Sequence, residues 1–359
     1  MTTQIDIIGS GCAGLSAAYY ASQLTDCQIR LVSDKSHHDR QDHIWGFWQT
    51  SWLHDAALQA SASWQSWQII TDDETITHHS RQHGYHALLA SNWLNYCAEK
   101  AAITTLISLD VPEPQANKII LDSRPPKAPD DCLYQHFIGQ HIIASDDIFD
   151  PETAILMDFR CDQSQGLHFI YLLPFSANEA LVESTLFTPH LCQDAFYISA
   201  IKTYLQDHFQ LSDYQITRTE KAAIPLAEMK QTDPHHIAIG ARSGALRPSS
   251  GYGFAFIQKQ IQQLVASFRG QGRWHAKPPH RRIDLWMDRV FLKVLSDRQS
   301  DAPRYFMLMA SALSGDEFAQ FMSGIARPAT YLKVILAMPK WPFIKAALQI
   351  GLPPARHKA

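Results

Sequence analysis

The feature that most constrains the fold of this chain is Gly9-Ser10-Gly11-Cys12-Ala13-Gly14, a Gly-x-Gly-x-x-Gly run near the amino terminus. It follows a short β-branched run, Ile5 to Ile8, and opens a segment rich in Ala, Leu and Tyr, Gly14 to Leu24, with the composition of a helix. Gln28 to Ser33 supplies a second strand ending at Asp34, so residues 5–34 read as one βαβ unit. In that setting the first glycine permits the tight turn, the second admits a pyrophosphate against bare backbone, and the third lets helix and strand pack closely. The helix amino terminus adds a positive field. Asp34, 20 positions after Gly14, stands where a carboxylate accepts hydrogen bonds from ribose hydroxyls. Gly9, Gly11, Gly14 and Asp34 are therefore the expected dinucleotide contacts, the alternative being a glycine turn with a structural role alone.

With 359 residues, 46% hydrophobic and 18% charged, the chain can bury a large core, and about 150 residues per domain suggests two domains. That size excludes a disulfide-stapled miniprotein. Lys plus Arg number 31 and Asp plus Glu 35, and the net charge of -4 argues against a nucleic-acid partner, which needs a basic surface. The six cysteines (Cys12, Cys27, Cys97, Cys132, Cys161, Cys192) form no Cys-x-x-Cys pair and precede no metal-type histidine spacing. They read as reduced, buried, intracellular thiols, and no metal is expected. The pairs His37-His38, His78-His79 and His235-His236 diverge too far to chelate and are assigned to the surface. Met1 to Gln4 carries neither the basic start nor the cleavage site of a secretory signal, giving the expectation of a cytoplasmic protein. No run reaches the roughly 18 apolar residues of a membrane span. Leu332 to Leu352 comes closest, but Lys333, Pro339, Lys340, Pro342 and Lys345 interrupt it, so it is expected to lie on a membrane rather than cross one.

Further along, Lys118 to Leu121, His141 to Ala144 and Ile237 to Ile239 have strand character, and Ser91 to Ala102 and Phe254 to Phe268 helical character. Leu167 to Thr188 reads as a hairpin turning at Ser176-Ala177-Asn178-Glu179. From Arg281 the pattern is helical to the end.

Ile237-Ala238-Ile239-Gly240-Ala241-Arg242-Ser243-Gly244 resembles the late strand of FAD proteins with two dinucleotide-binding domains, which ends at a glycine near the flavin phosphates. In that likeness Gly240 is the glycine, and Gly251 and Gly253 of Pro248-Ser249-Ser250-Gly251-Tyr252-Gly253-Phe254 let the next loop approach the flavin closely. The same loop resembles the Pro-Ser/Thr-Thr-Gly-Tyr segment of bacterial lycopene cyclases, flavoproteins that close the end rings of carotenoids. Asp42-His43-Ile44-Trp45-Gly46-Phe47-Trp48 is similar to another family block, with Ile44 where threonine is usual. Gln135-His136-Phe137-Ile138-Gly139, Phe149-Asp150-Pro151, Leu156-Met157-Asp158-Phe159-Arg160, Tyr171-Leu172-Leu173-Pro174-Phe175 and Leu181-Val182-Glu183-Ser184-Thr185 follow in family order, over residues 4–330. Two departures stand out: His86 replaces a usual arginine, and Ala222-Ala223-Ile224-Pro225 lacks a glycine before Ile-Pro. The expected architecture is α/β, with a Rossmann-like FAD-binding domain (1–80, 100–160 and 230–270), an inserted β-sheet substrate domain (161–229 with 81–99) and a helical C-terminal lobe (280–359) facing a membrane.

The resemblance implies a lycopene β-cyclase: redox-neutral conversion of the ends of lycopene, or another acyclic carotenoid, to β-ionone rings. It also implies reduced FAD, formed with NADPH as reductant, and peripheral attachment to the inner face of the cell membrane. Ring closure adds a proton at C2, lets the C5 to C6 alkene attack the cation at C1, and removes a proton from C6. It needs an acid, a base and an apolar cavity that excludes water. Glu183 is the candidate acid/base, because an apolar strand raises a carboxyl pKa and because the resemblance carries the family's Glu-x-Thr glutamate onto it. A strand-edge glutamate facing water or paired with Arg160 is the other reading. Trp45, Phe47, Tyr171 and Tyr252 are candidates to stabilise the cation through ring faces, though core packing explains such rings equally well. His43 is a candidate hydrogen-bond donor near flavin or substrate. Two other functions stay open: a FAD-dependent monooxygenase or reductase acting on an isoprenoid, and a catalytically silent flavoprotein scaffold at the membrane. Against the former stand Asp122-Ser123, where such hydroxylases commonly carry Asp-Gly, and the lack of a second glycine triplet.

Overall fold

The computed structural model describes residues 3–351 apart from 26, 35, 40–41, 104, 109, 111, 113–117, 230–232, 234 and 276–277. The chain divides into two compact units: Met1–Ala60 with Leu88–Pro129 and Ala227–Arg281, and Ser61–Ala87 with Asp130–Leu226 and Arg282–Ala359. Residues 61–80 and 130–160, expected with the nucleotide-binding part, thus belong to the second unit, and 88–99 to the first. Strand pairing explains the difference, because Ser66–Ile70, Thr75–His79 and Leu133–Ala144 join the larger sheet. The α/β class and the inserted sheet are as expected.

In the first unit, five parallel strands run in the order Ile237–Ala238, Lys118–Asp122, Thr3–Ile8, Cys27–Ser33, Thr105–Ile107. Thr3–Ile8 is central, and Ile5 and Ile7 are wholly buried. The helix Cys12–Ala21 leaves its end at once, and its small residues are buried from Ala13 onward, which lets two further helices pack closely on it. Those helices, Ala90–Ala101 and Phe254–Gln271, each send a donor to Ser16 Oγ: Trp93 Nε1 at 2.9 Å and Gln258 Nε2 at 2.8 Å. Burial alone would raise the carboxyl of Asp6 in the central strand, but hydrogen bonds from Arg30, Lys118 and Gln4 hold it below the usual range.

The second unit is built on seven strands in the order Tyr214–Leu226, Leu133–Ala144, Glu179–Thr188, Leu167–Pro174, Thr153–Asp158, Ser66–Ile70, Thr75–His79. Leu167–Pro174 and Glu179–Thr188 form the expected hairpin, closed by Phe175 N on Glu179 O at 2.7 Å. Helix Asp194–Phe209 covers one face of the sheet, where Ile142, Ile170, Leu172 and Val182 meet Ile201, Tyr204 and Leu205. Side chains alternate along a strand, so Gly139, Tyr171 and Glu183 lie on the opposite face.

The C-terminal part forms helices Arg282–Asp297, Ala302–Ala312, Gly315–Met322, Pro328–Ala337 and Lys340–Ile350 within the second unit. The break falls at Pro339, while Pro342 sits in the first turn of the last helix, where a missing N–H costs nothing. Among the described residues no helix is long and apolar enough to cross a membrane. Two expectations need correction. His78 is buried, not at the surface: strand alternation turns His79 outward and His78 inward, where Trp67 Nε1 reaches its Nδ1 (3.1 Å) and its Nε2 meets the carbonyls of Ala310 and Leu313 at 3.0 and 3.1 Å. The six cysteines are free, but only Cys97 and Cys132 are buried and the other four are half-buried.

Candidate functional site

The three glycines of the first turn are not equivalent. Gly9 has φ +98°, and a Cβ on Gly14 would lie 1.7 Å from the Gly9 carbonyl oxygen, so the fold itself demands both. Gly11 has an ordinary extended backbone (φ −86°, ψ −167°), and a Cβ there would meet nothing within 4 Å. It flanks the start of helix Cys12–Ala21, whose first turn has no side-chain cap. Bare backbone beside open space at a helix amino terminus fits a pyrophosphate. Gly240 (φ +66°) lies over Ala13, whose Cβ would be 2.5 Å from any Cβ on Gly240, and its N–H donates to Gln260 Oε1 at 2.8 Å. Gly251 (φ +64°) turns a loop held by Arg247 N on Tyr252 O and Gly251 N on Arg247 O, both at 2.9 Å, and Gly253 precedes helix Phe254–Gln271. Asp34 is exposed at the end of Cys27–Ser33 and accepts from Ser33 Oγ at 3.1 Å. These residues together fit a dinucleotide.

Other residues of this unit have structural duties. Asp42 accepts from Ser91 N (2.9 Å) and Ser91 Oγ (2.8 Å), and His43 O accepts from Ala90 N (2.8 Å), so the Asp42-His43 block clamps the start of helix Ala90–Ala101. Trp45 stacks on Phe254 with ring centres 5.1 Å apart, and Tyr252 lies 5.5 Å from Trp48. Phe47 is 1% exposed and packs on the same Phe254, ring centres 5.2 Å apart. Sequence reasoning missed Arg242, which pairs with Asp122 at 3.1 Å. Burial alone would raise the Asp122 carboxyl, but Arg124, at 2.9 and 2.7 Å, and Arg242 hold it low.

In the second unit, Tyr171, Glu183, Gly139 and Glu220 are direct cross-strand neighbours on four adjacent strands, one row on the face opposite helix Asp194–Phe209. Glu183 is 7% exposed and Glu220 1%. Thr185 Oγ1 donates to Glu183 Oε1 at 2.6 Å, and the hydroxyls of Tyr171 and Tyr85 lie 2.8 Å apart. Burial first, and the charge of Glu220 second, push the Glu183 carboxyl up to about 8 against the opposing Thr185 bond. Glu183 is therefore a neutral acid at pH 7. It is not paired with Arg160, which binds Asp158 at 2.9 and 2.6 Å. Burial lowers His86 to about 4, so its ring is neutral and lacks the charge of the arginine it replaces.

The profile of the lycopene cyclase protein family matches residues 4–348. The chain belongs to the lycopene cyclase family. It is 25% identical over 231 residues to the lycopene beta-cyclase of Pantoea ananas, an alignment that takes in 60% of this chain and 59% of that protein. It is 25% identical over 274 residues to that of Pseudescherichia vulneris, 68% of this chain and 69% of the relative. In fold, this family member is similar to a geranylgeranyl bacteriochlorophyll reductase-like protein of Thermoplasma acidophilum (TM-score 0.62, 14% identity, 97% and 99% of the two chains). It is also similar to the flavin-dependent brominase Bmp2 (TM-score 0.59, 12% identity, 97% and 98%).

The buried acid makes the stability of this lycopene cyclase family member pH-dependent. Between the usual glutamate range near 4.3 and about 8, the folded state holds a proton on Glu183 that the unfolded state has released. The folded state binds more protons there, so stability is fully present below that window and falls by about 1.4 kcal/mol per pH unit as pH rises through it. Urea unfolding from pH 5 to 8 is expected to show this slope in the parent and a flatter one in Glu183→Gln. Equal slopes would mean that Glu183 is ionised in the folded protein.

Proposed function

We propose that this protein is a lycopene β-cyclase that closes the ends of an acyclic carotenoid by acid/base chemistry. The observation that carries the reading is Glu183, a buried carboxyl kept protonated at neutral pH at the end of the apolar run Ala180-Leu181-Val182. Its O–H bond breaks as the C2–H bond forms. The C5 to C6 electron pair closes the ring onto C1. The C6–H bond then breaks, its pair making the new ring double bond, and the proton returns to the Glu183 carboxylate. Electrons balance without an oxidant. Tyr171, directly beside Glu183 in the sheet, offers a ring face to the cation, and the burial of the carboxyl, 7% exposed, keeps out the water that would trap it. FAD, held by Gly9, Gly11 and Gly14 at the pyrophosphate, Asp34 at the ribose and the Gly240, Gly251 and Gly253 loops, would supply an electron-rich ring when reduced by NADPH. His43, Trp45 and Tyr252 are assigned to the flavin-binding unit as lining residues. Expression in lycopene-accumulating bacteria, with pigments identified by mass and absorption, tests the assignment: a cyclised isomer of lycopene supports it, and an oxygenated or saturated carotenoid overturns it in favour of a monooxygenase or reductase.

A substrate this insoluble requires contact with a bilayer, and the last two helices suit peripheral attachment to its inner face. Leu332, Ile335, Leu336, Trp341, Ile344 and Leu348 are exposed there, Trp341 at 73% and Leu348 at 78%. No acidic residue follows Glu317, while Arg327, Lys333, Lys340 and Lys345 are exposed among the apolar side chains. Phe343 instead packs on Tyr305, ring centres 5.3 Å apart, and is unsuitable as a probe. Trp341→Ala combined with Leu348→Ala is expected to cut binding to anionic liposomes by about tenfold or more in flotation while leaving the fold intact. Undiminished binding by the folded double variant would remove this segment as the anchor.

A further inference from the structure

Glu220 plays no part in the chemistry above, yet it is the most deeply buried carboxylate facing the same row. Gly139 stands between the two glutamates in the register, paired with Glu183 on one side and Glu220 on the other. A Cβ at Gly139 would lie 3.1 Å from Glu220 Cγ and from Leu181 Cδ1, and 3.5 Å from Glu183 Cβ, so a side chain there would crowd the space between the two glutamates, which the Leu181 methyl borders. We propose that Glu220 is a positioning residue for the cyclisation: with Glu183 it forms a carboxyl pair across Gly139 that retains one proton, and its negative charge keeps that proton on Glu183.

Surrounding groups favour this division. Arg218 Nη2 lies 3.9 Å from Glu220 Oε2 and stabilises Glu220 as the ionised member. Among the described residues the Thr185 hydroxyl donates to Glu183, and strand Glu179–Thr188 carries no Lys, Arg or His. His141, two positions from Gly139 on the same face, is lowered by burial and by Arg218, so it adds no positive charge at neutral pH. The Tyr171 and Tyr85 hydroxyls, 2.8 Å apart, bond to each other and bring no charge to the row. Two carboxyl groups so placed titrate as a pair, and burial first, with the like charge of Glu220 added to it, holds the last proton on Glu183 well above the usual carboxylate range.

The inference rests on the cyclase reading for its catalytic meaning, but its test does not need turnover. The infrared carbonyl band of protonated Glu183, identified by its loss in Glu183→Gln, is followed against pH in the parent, in Glu220→Gln and in Arg218→Gln. Removing the Glu220 charge is expected to move loss of the band down by about one pH unit or more, and removing Arg218, at the edge of the pair, to move it up. The alkaline limb of kcat/KM should follow the band in both variants. A band whose pH dependence is the same in the parent and in the folded variants overturns the pair, and Arg218→Gln decides the matter if Glu220→Gln does not fold. A shifted band in a protein that makes no cyclised product would leave the pair standing and sink the cyclase reading instead.

Discussion

Glu183→Gln is expected to lower cyclisation by about 100-fold to 10,000-fold, the usual loss when a general acid is removed, while binding of FAD and of the carotenoid survives. Glutamine keeps the shape and can still accept from Thr185 Oγ1, which donates to Glu183 at 2.6 Å, but it has no proton of suitable acidity to deliver to an alkene. The change also removes a carboxyl from a nearly dry site, so the folded protein should be no less stable at pH 8 than the parent. Product formation measured by pigment chromatography, beside flavin absorbance of the purified variant, separates chemistry from binding. Near-parental turnover would move the acid role to another group.

The second large effect belongs to the cofactor. Gly11→Val is expected to abolish FAD retention without unfolding the protein, because the Gly11 backbone is one any residue adopts and the space beside it is open. Gly14→Ala is the contrasting case: its Cβ would sit 1.7 Å from the Gly9 carbonyl oxygen, so folding itself should fail. Asp34→Ala removes an exposed acceptor and is expected to weaken FAD by roughly ten- to a hundredfold, the value of a charged hydrogen bond of about 1.5–3 kcal/mol. Flavin content per protein, read from the absorption spectrum, measures all three. A fully loaded Gly11→Val protein would show that the pyrophosphate does not lie there.

Much of the fold was legible because its signals are local. The glycine triplet with flanking strand and helix, the hairpin turning at Ser176 to Glu179 and the helical tail all depend on residues near in sequence, and each appears where the spacing predicts it. Glu183 was legible for the same reason, as an acid that directly follows the apolar run Ala180-Leu181-Val182. What was not legible depends on register. Nothing in Thr219-Glu220-Lys221 marks Glu220 as buried until its strand is laid against Leu133–Ala144, which brings it to Gly139 and so to Glu183. His78 was misplaced because a pair of histidines on a strand has one inward member, and only the carbonyls at the end of helix Ala302–Ala312 reveal which. The domain boundaries shifted likewise, since Ser66–Ile70 joins the larger sheet by a parallel pairing with Thr153–Asp158, about ninety positions away in the chain.

The most direct test of acid/base cyclisation is turnover of lycopene in heavy water by the FAD-loaded protein on anionic liposomes, with NADPH as reductant and the product weighed by mass spectrometry. A proton delivered from an exchangeable carboxyl leaves one solvent deuterium at C2 of each ring closed, and the C6 hydrogen departs, so the product should be a cyclised carotenoid one deuterium heavier per ring, with NADPH consumption far below one per ring. A cyclised product free of deuterium, or a product that has gained oxygen or two hydrogens for each NADPH spent, would contradict it.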